Sequence, residues 1–223
     1  MVLPLWDDNT GRLRFPIVNV ALIAINVAVF LVELSQGAQI EGFFYRWAVI
    51  PAEYSAGTDL PPAQPFPFWA TLFSAMFMHG GWLHLIGNML FLWIFGDNVE
   101  DAMGRIRYLV FYLLCGIAAS AAQIAIDPDS TIPSLGASGA ISGVLGAYLI
   151  MFPGRKVAVL LLRTIAYLPA IAVIGMWIVF QFINGLGQLA QTEETGGVAY
   201  AAHVGGFIAG FILVWIFRRR RRV

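Results

Sequence analysis

Six long apolar runs constrain this chain more than any other feature of its sequence. They cover approximately Phe15–Leu34, Trp82–Val99, Tyr108–Ile126, Ala137–Phe152, Thr164–Gly187 and Ala199–Phe217. A further apolar stretch, Phe66–Met78, leads into the second run. A helix needs about 20 predominantly apolar residues to cross a bilayer. Only 12% of the residues are charged, about half the usual share of a soluble domain, so a water-soluble globule and a disordered chain are excluded. We therefore predict an all-α membrane protein with six transmembrane helices.

The positions of the basic residues predict the orientation of these helices. If the N-terminus is cytoplasmic, every Lys and Arg except Arg46 lies on the cytoplasmic side, as the positive-inside rule requires. We therefore expect a cytoplasmic N-terminus (1–15), a six-helix domain (16–217) and a basic cytoplasmic tail (218–223). The five arginines of that tail follow an apolar helix, which favours contact with anionic lipid over nucleic acid.

The connection between the first two runs, residues 36–67, is unusually long. It mixes aromatic residues with prolines: Phe43, Phe44, Tyr45, Trp47, Tyr54, Phe66, Pro51, Pro61, Pro62, Pro65 and Pro67. This composition is too apolar for a free loop and too interrupted for a span. Because aromatic rings favour the membrane interface, we predict a compact, membrane-embedded lobe on the outer side.

Polar residues inside a membrane are costly, and they are usually functional. Counted from Arg155, Ser138 lies roughly 24 Å above the inner face, and His203 lies roughly 22 Å above Arg218. Both therefore fall in the outer half of a slab about 30 Å thick. The histidines and amides near the spans complete this polar set: His79, His84, Asn26, Asn88, Gln181 and Asn184. Glu33 is expected to be the one acid near a span.

Two pairs of glycines predict which helices meet. They are spaced four residues apart beside Ser138 and on the His203 face: Gly139 with Gly143, and Gly206 with Gly210. Small residues at this spacing let helices approach closely. Contact along them would bring Ser138 within hydrogen-bond reach of His203, although ordinary helix packing is an equally good reason for either pair alone.

A serine beside a neutral imidazole can act as a nucleophile, because the imidazole accepts the hydroxyl proton during attack. No acid is expected at this depth, so a Ser138–His203 dyad is favoured over a triad. The Ser138 backbone N–H, His84 and Asn88 are candidate donors to an oxyanion. The competing interpretations are a helix N-cap for Ser138, and packing or metal binding for the histidines. No H-E-x-x-H zinc motif is present, and we expect neither a metal nor a cofactor.

Together these segments resemble the rhomboid family of intramembrane serine proteases. Gly136-Ala137-Ser138-Gly139 resembles the nucleophile motif of that family. Ala202-His203 followed by two glycines resembles its sixth-helix motif, and the segment from His79 to Asn88 resembles its second-helix element, with Glu100 and Gly104 closing that helix. The order and spacing agree over roughly residues 16–217.

The resemblance implies a fold of six transmembrane helices with a membrane-embedded first loop, and a role for each motif residue. Ser138 would be the nucleophile, His203 the general base, and His84 and Asn88 the side-chain part of the oxyanion hole. His79 would lie near the site. The fifth helix would be a lateral gate for the substrate helix.

Two positions depart from patterns that some members show. Ser142 stands where those members carry an aromatic residue that packs on the base, so the support of His203 must come from elsewhere. Arg46-Trp47 reverses a Trp-Arg pair of the first loop.

The expected function is therefore a serine endopeptidase that cleaves within or near the transmembrane segment of membrane-protein substrates. The alternative is a non-catalytic chaperone or binder of client helices on the same scaffold; a transporter is disfavoured because few ionisable residues are expected near the midplane. The compact chain suits a bacterial plasma membrane, with the site opening outward. The sequence indicates no oligomeric state and no particular substrate.

Overall fold

The computed structural model describes residues 3–61, 66–189 and 199–219, without the side chains of 188 and 189. Pro62 and Pro65 of the predicted lobe, and the tail arginines 220–222, lie outside the described residues. Within this part, the α-helices are α1 Ile17–Ser35, α2 Ile40–Trp47, α3 Pro51–Ala56, α4 Thr71–Ser74, α5 Trp82–Met103, α6 Arg105–Ile126, α7 Ser138–Met151, α8 Ala170–Leu189 and α9 Tyr200–Phe217. Single 3₁₀ turns cover Gly37–Gln39, Phe68–Ala70 and Ala75–Phe77.

Four of these helices are long and apolar enough to cross a membrane: α1, α6, α8 over Ala170–Gly187, and α9. This shows an integral membrane protein that is mostly helical. The helix α7 is apolar but has only 14 residues, and the 22 residues of α5 include three acids near its end. A count of six spans therefore stays a prediction.

The predicted all-α fold is confirmed as mostly helical, but three strands also form an antiparallel sheet at one end of the bundle. They are β1 Leu3–Asp7, β2 Lys156–Leu161 and β3 Thr164–Pro169, in the order β1-β2-β3. The predicted fifth span began at Thr164, yet the helix begins at Ala170. The backbone of residues 164–169 pairs with β2 and does not extend the helix. Side chains alternate between the two faces of a strand, so an apolar run of this length fits a strand as well as a helix.

Glycines form a very close helix contact between α7 and α9. An added Cβ at Gly206 would overlap the Gly139 carbonyl, and one at Gly210 would overlap the Gly143 carbonyl. The two backbones therefore approach as closely as the glycine spacing predicts. On its other side, Gly139 faces Ala119 of α6, so three helices surround one line of small residues.

A network of charged and polar groups, in which buried acids meet partly exposed arginines, joins the sheet to the same end of the bundle. Its members, called here the charged cluster, are Asp7, Arg12, Asp97, Asn98, Tyr148 and Arg155. Asp7 accepts hydrogen bonds from Tyr148 (2.5 Å) and the Asn98 amide (2.9 Å). Arg12 pairs with Asp97, and Arg155 donates to the Asn98 side-chain oxygen. Every member is thus hydrogen-bonded within the cluster.

The expectation that Glu33 would be the one acid near a span was wrong. Asp97 and Glu100 are buried near the end of α5. The Glu100 carboxylate accepts the backbone N–H groups of Val18 and Asn19, at 3.2 and 2.7 Å. It thereby caps the first turn of α1, whose own residues supply no side-chain cap. Asp97 therefore forms an ion pair, and Glu100 caps a helix.

The long connection folds into short helices packed by their aromatic residues. Trp47 and Phe66 place their ring centroids 4.5 Å apart, and Tyr54 packs edge-on against Phe68 at 5.1 Å. The backbone of Val49 pairs with that of Ser134, in the loop before α7. The connection is therefore anchored to the segment that leads into Ser138.

Candidate active site

The turn before α7 sets the position of Ser138. Gly136 donates its N–H to the Ala75 carbonyl at 2.8 Å, and its φ of +134° lies in a region that L side chains rarely adopt. Ala137 is the N-cap residue, so α7 begins at Ser138 itself. The helix start thus presents a half-buried serine next to a fixed turn.

His203 lies on α9 directly opposite this serine. Its Nε2 is 2.8 Å from Ser138 Oγ, and its side chain is only 8% exposed. The glycine contact between α7 and α9 makes this approach possible, because a bulkier seam would separate the two helices. The N-cap residue of α7 is Ala137, and Ser138 is the first residue of the helix. Its hydroxyl contacts the imidazole and does not occupy the N-cap position.

His84 lies beside the same turn, and its hydrogen bond to Gly80 indicates which ring nitrogen carries the proton. An added Cβ at Gly136 would be 3.0 Å from His84 Nε2 and 3.4 Å from Ser138 Oγ, so the imidazole and the hydroxyl flank this glycine. His84 Nδ1 accepts the Gly80 N–H at 3.3 Å. In the neutral ring the other nitrogen then carries the proton. Nε2–H is therefore a hydrogen-bond donor next to the serine.

Two further predicted residues, His79 and Asn88, lie near His84 and keep unpaired polar atoms. The rings of His79 and His84 are 5.1 Å apart and edge to face; α5 begins only at Trp82, so the helical spacing of these two histidines does not apply. Both ring nitrogens of His79 and the Asn88 amide nitrogen are buried without a partner among the described residues. Buried polar groups are normally paired, which makes these atoms available to a bound molecule or water.

The backbone of His79 is held by a buried acid. Its N–H donates to both carboxylate oxygens of Glu33, at 3.1 and 3.3 Å. Glu33 lies in the last turn of α1, so this contact links the first helix to the segment that carries His79 and His84. The structure describes no group of three His, Cys, Asp or Glu side chains that could hold a metal ion within residues 3–61, 66–189 and 199–219.

The surroundings of His203 include two residues of α8 to which the sequence gave no role. Gln181 Oε1 is 2.7 Å from His203 Nδ1, and the Trp177 ring lies 5.9 Å from the imidazole. Ser142 is fully buried, and its hydroxyl donates to the Ser138 carbonyl at 2.6 Å. Gln181 was recognisable only as one of several polar residues in the spans, since no local pattern pairs it with His203.

This arrangement can support nucleophilic chemistry. A serine hydroxyl touches an imidazole nitrogen, an N–H donor lies beside them, and the serine N–H sits at a helix start, where backbone donors have no intrahelical partner. The charges of the charged cluster lie at the opposite end of α7, near Tyr148 and Arg155. The side chains that hydrogen-bond the His203 ring, Ser138 and Gln181, are by contrast uncharged.

Comparisons with known proteins point in the same direction. The family model described as "Rhomboid domain" matches residues 67–220. Rhomboid protein 1, mitochondrial, of Saccharomyces cerevisiae is 29% identical over 199 residues, which is 87% of this chain and 51% of that protein. Rhomboid protease GluP of Bacillus subtilis is 37% identical over 145 residues, 64% of this chain and 25% of that protein.

A third relative is Rhomboid-like protein 11, chloroplastic, of Arabidopsis thaliana, 28% identical over 164 residues, 69% of this chain and 54% of that protein. The chain spans about half or less of the length of these relatives. Because their names include a mitochondrial and a chloroplastic protein, they do not support a bacterial plasma membrane in particular.

Proposed function

This chain belongs to the rhomboid family, and we propose that it is an intramembrane serine endopeptidase that uses Ser138 and His203 as a catalytic dyad. The observation that carries the proposal is the 2.8 Å separation of Ser138 Oγ and His203 Nε2 at the meeting point of α7 and α9. The relative named Rhomboid protease GluP supports protease activity for this family.

In the first half of the reaction, His203 Nε2 accepts the Ser138 proton as Oγ attacks the substrate carbonyl carbon. The carbonyl oxygen becomes an oxyanion, which the Ser138 N–H and His84 Nε2–H stabilise. The Asn88 amide nitrogen, which has no partner among the described residues, supplies a third donor. The peptide C–N bond then breaks, and the imidazolium returns its proton to the leaving amine.

In the second half, water hydrolyses the acyl ester. His203 accepts a proton from the water as it attacks the ester carbonyl, and then returns a proton to Ser138 Oγ. The mechanism needs no metal and no cofactor. Hydrolysis requires that water reach Ser138, and this residue is only partly buried, which is consistent with such access.

The proposed substrates are membrane proteins with a transmembrane helix that unwinds locally. A helical backbone hides its carbonyls in internal hydrogen bonds, so small and helix-breaking residues near the cleavage point favour attack. We propose six spans over residues 16–217, in which α5 and α7 join the four candidate spans α1, α6, α8 and α9. The preceding segment (1–15) and the tail (218–223) would lie on one side, with the sheet and the charged cluster. The connection 36–67 would lie in the opposite interface.

The test is cleavage of a model transmembrane substrate by the purified protein in detergent or vesicles. Ser138→Ala and His203→Ala should each abolish cleavage while the thermal unfolding midpoint stays near that of the wild type. Ser120→Ala, which alters another serine within an apolar helix, is the matched control and should cleave normally. Undiminished cleavage by Ser138→Ala would overturn the assignment.

A non-catalytic binder of client helices is the alternative on this scaffold. A serine-directed fluorophosphonate separates the two functions, because only an activated serine reacts with it. Labelling of Ser138 supports the enzyme. Client binding without labelling supports the binder.

A further inference from the structure

The support of His203 comes from α8. Gln181 is only 7% exposed, and its side-chain oxygen lies 2.7 Å from His203 Nδ1. Trp177 precedes it by four residues, so both side chains lie on one face of the helix. The Trp177 ring lies 5.9 Å from the imidazole at an interplanar angle of 37°.

An amide oxygen can only accept a hydrogen bond. Its contact with Nδ1 therefore requires the proton to be on Nδ1, which leaves the Nε2 lone pair free to accept the Ser138 hydroxyl proton. The opposite tautomer would present an N–H to Ser138 and could not act as a base. We propose that Gln181 is a positioning residue that fixes His203 in its basic tautomer, so that catalytic competence depends on α8 lying against α9.

This proposal rests on the proposed protease function and explains how the site works without an acid. The carboxylate of a serine–histidine–acid triad holds the tautomer and also stabilises the imidazolium. A neutral amide holds the tautomer but stabilises the imidazolium only weakly. It also avoids the cost of placing a charge inside a membrane, which suits a base that is itself nearly buried.

The contact also makes the site sensitive to the position of α8. Large apolar side chains on this helix, among them Val179, Phe180 and Ile183, are more than half exposed, so much of its surface faces outward. Ser142, from α7, bonds to its own helix and supplies no group to His203. A displacement of α8 would therefore remove both Gln181 and Trp177 from the imidazole at once.

The experiment compares Gln181→Leu and Gln181→Glu with the wild type on one transmembrane substrate. Leucine removes the acceptor at similar size, so kcat should fall about 10–100-fold, less than the roughly 10⁴-fold effect of altering a charged triad acid. KM and the thermal unfolding midpoint should change little. The matched control is Asn184→Leu, one turn further along α8, where the amide donates to the Phe180 carbonyl; it should leave kcat near the wild-type value.

Gln181→Glu keeps an acceptor at the same position and should retain more activity than Gln181→Leu. A carboxylate also stabilises the imidazolium, so the acidic limb of the pH profile of kcat/KM should move to higher pH. The other titratable side chains around the His203 ring are His84 and Tyr200, and neither is altered by these substitutions. If Gln181→Leu misfolds, this shift still tests the proposal.

The outcomes separate the two proposals. If Ser138→Ala is inactive but the Gln181 variants match the wild type in kcat and pH profile, the role of Gln181 is wrong and the protease assignment stands. A Gln181→Leu enzyme with raised KM or lowered stability but normal kcat would also overturn the positioning role. Cleavage by Ser138→Ala would overturn the protease assignment itself.

Discussion

The described part of the molecule contains two polar clusters, and they differ in how completely their members are paired. In the charged cluster, Asp7, Asn98 and Tyr148 share short hydrogen bonds, and Arg12 pairs with Asp97. Near Ser138, by contrast, both ring nitrogens of one histidine and the amide nitrogen of an asparagine have no partner among the described residues. A fully paired cluster stabilises a fold, whereas unpaired donors around a reactive group are ready to stabilise developing charge.

The largest expected effect is on activity, at His203. His203→Ala removes the base, and we expect cleavage to fall about 10³–10⁴-fold or more. The fold should survive, since the glycine contact that joins α7 to α9 is untouched. The measurement is kcat/KM together with the thermal unfolding midpoint. A variant that loses stability in proportion to its activity would contradict the distinction between the clusters.

The next effect is on stability, at Arg12. Arg12→Gln removes the cation that pairs with buried Asp97. Because the Arg12 side chain is 31% exposed, solvent screens the pair, so the free energy of unfolding should fall by about 3 kcal/mol, the lower end of the cost of breaking a buried pair. Arg14→Gln is the matched control, because Arg14 is exposed and lies two residues away. Chemical unfolding measures both free energies. The activity of the folded Arg12→Gln protein should stay near normal; a specific loss of kcat would contradict a purely structural role.

Asn88→Ala should affect activity more than stability. Its amide nitrogen has no partner to lose among the described residues, so the free energy of unfolding should change by less than about 1 kcal/mol. If the amide donates to the oxyanion, kcat should fall about 10²–10³-fold. Asn26→Ala is a useful comparison, because that amide donates to the Leu22 carbonyl within its own helix. Equal effects of the two substitutions on kcat would speak against an oxyanion role for Asn88.

The smallest expected effect is a pH dependence at Asp7. Burial raises the pKa of Asp7 from 3.8 to about 6, partly offset by the Tyr148 hydrogen bond. Because the folded-state pKa is the higher one, the folded state binds the proton more readily. As the pH rises from about 4 to about 6, the ionisation of Asp7 should therefore lower the free energy of unfolding, by on the order of 2–3 kcal/mol.

Asp7→Asn should remove this dependence while it keeps an acceptor for Tyr148. Unfolding free energies measured from pH 4 to pH 8 test this, with the exposed Asp8→Asn variant as control. If the free energy of unfolding changed equally with pH in the wild type and in Asp7→Asn, the raised pKa of Asp7 would be contradicted.

Sequence reasoning located the parts of the site that motifs and periodicity carry. Ser138 and His203 were placed at one depth by counting residues, and the glycine spacing indicated that their helices meet. The boundaries of α1, α6, α7 and α9 were also predicted to within about three residues. These features are local or periodic, so one stretch of sequence contains the whole signal.

What sequence reasoning missed depends on contacts between distant segments. The strand β1 pairs with β2 about 150 residues later, and nothing near Leu3 indicates that partner. The predicted polar set does not include Asp97, and Glu100 is named only as a motif residue, because an acid in a span is unfavourable until its partner, here Arg12 or the start of α1, is known. The contact between Gln181 and His203 likewise depends on how two helices are rotated against each other.

The most direct test of the central claim is to locate the serine that His203 activates. The purified wild-type protein is treated with a fluorophosphonate, digested, and analysed by mass spectrometry. We predict a single modified residue, Ser138, with labelling lost in His203→Ala and slowed in Gln181→Leu. Modification of a different serine, or an unmodified Ser138 in a preparation that cleaves substrate, would contradict the account.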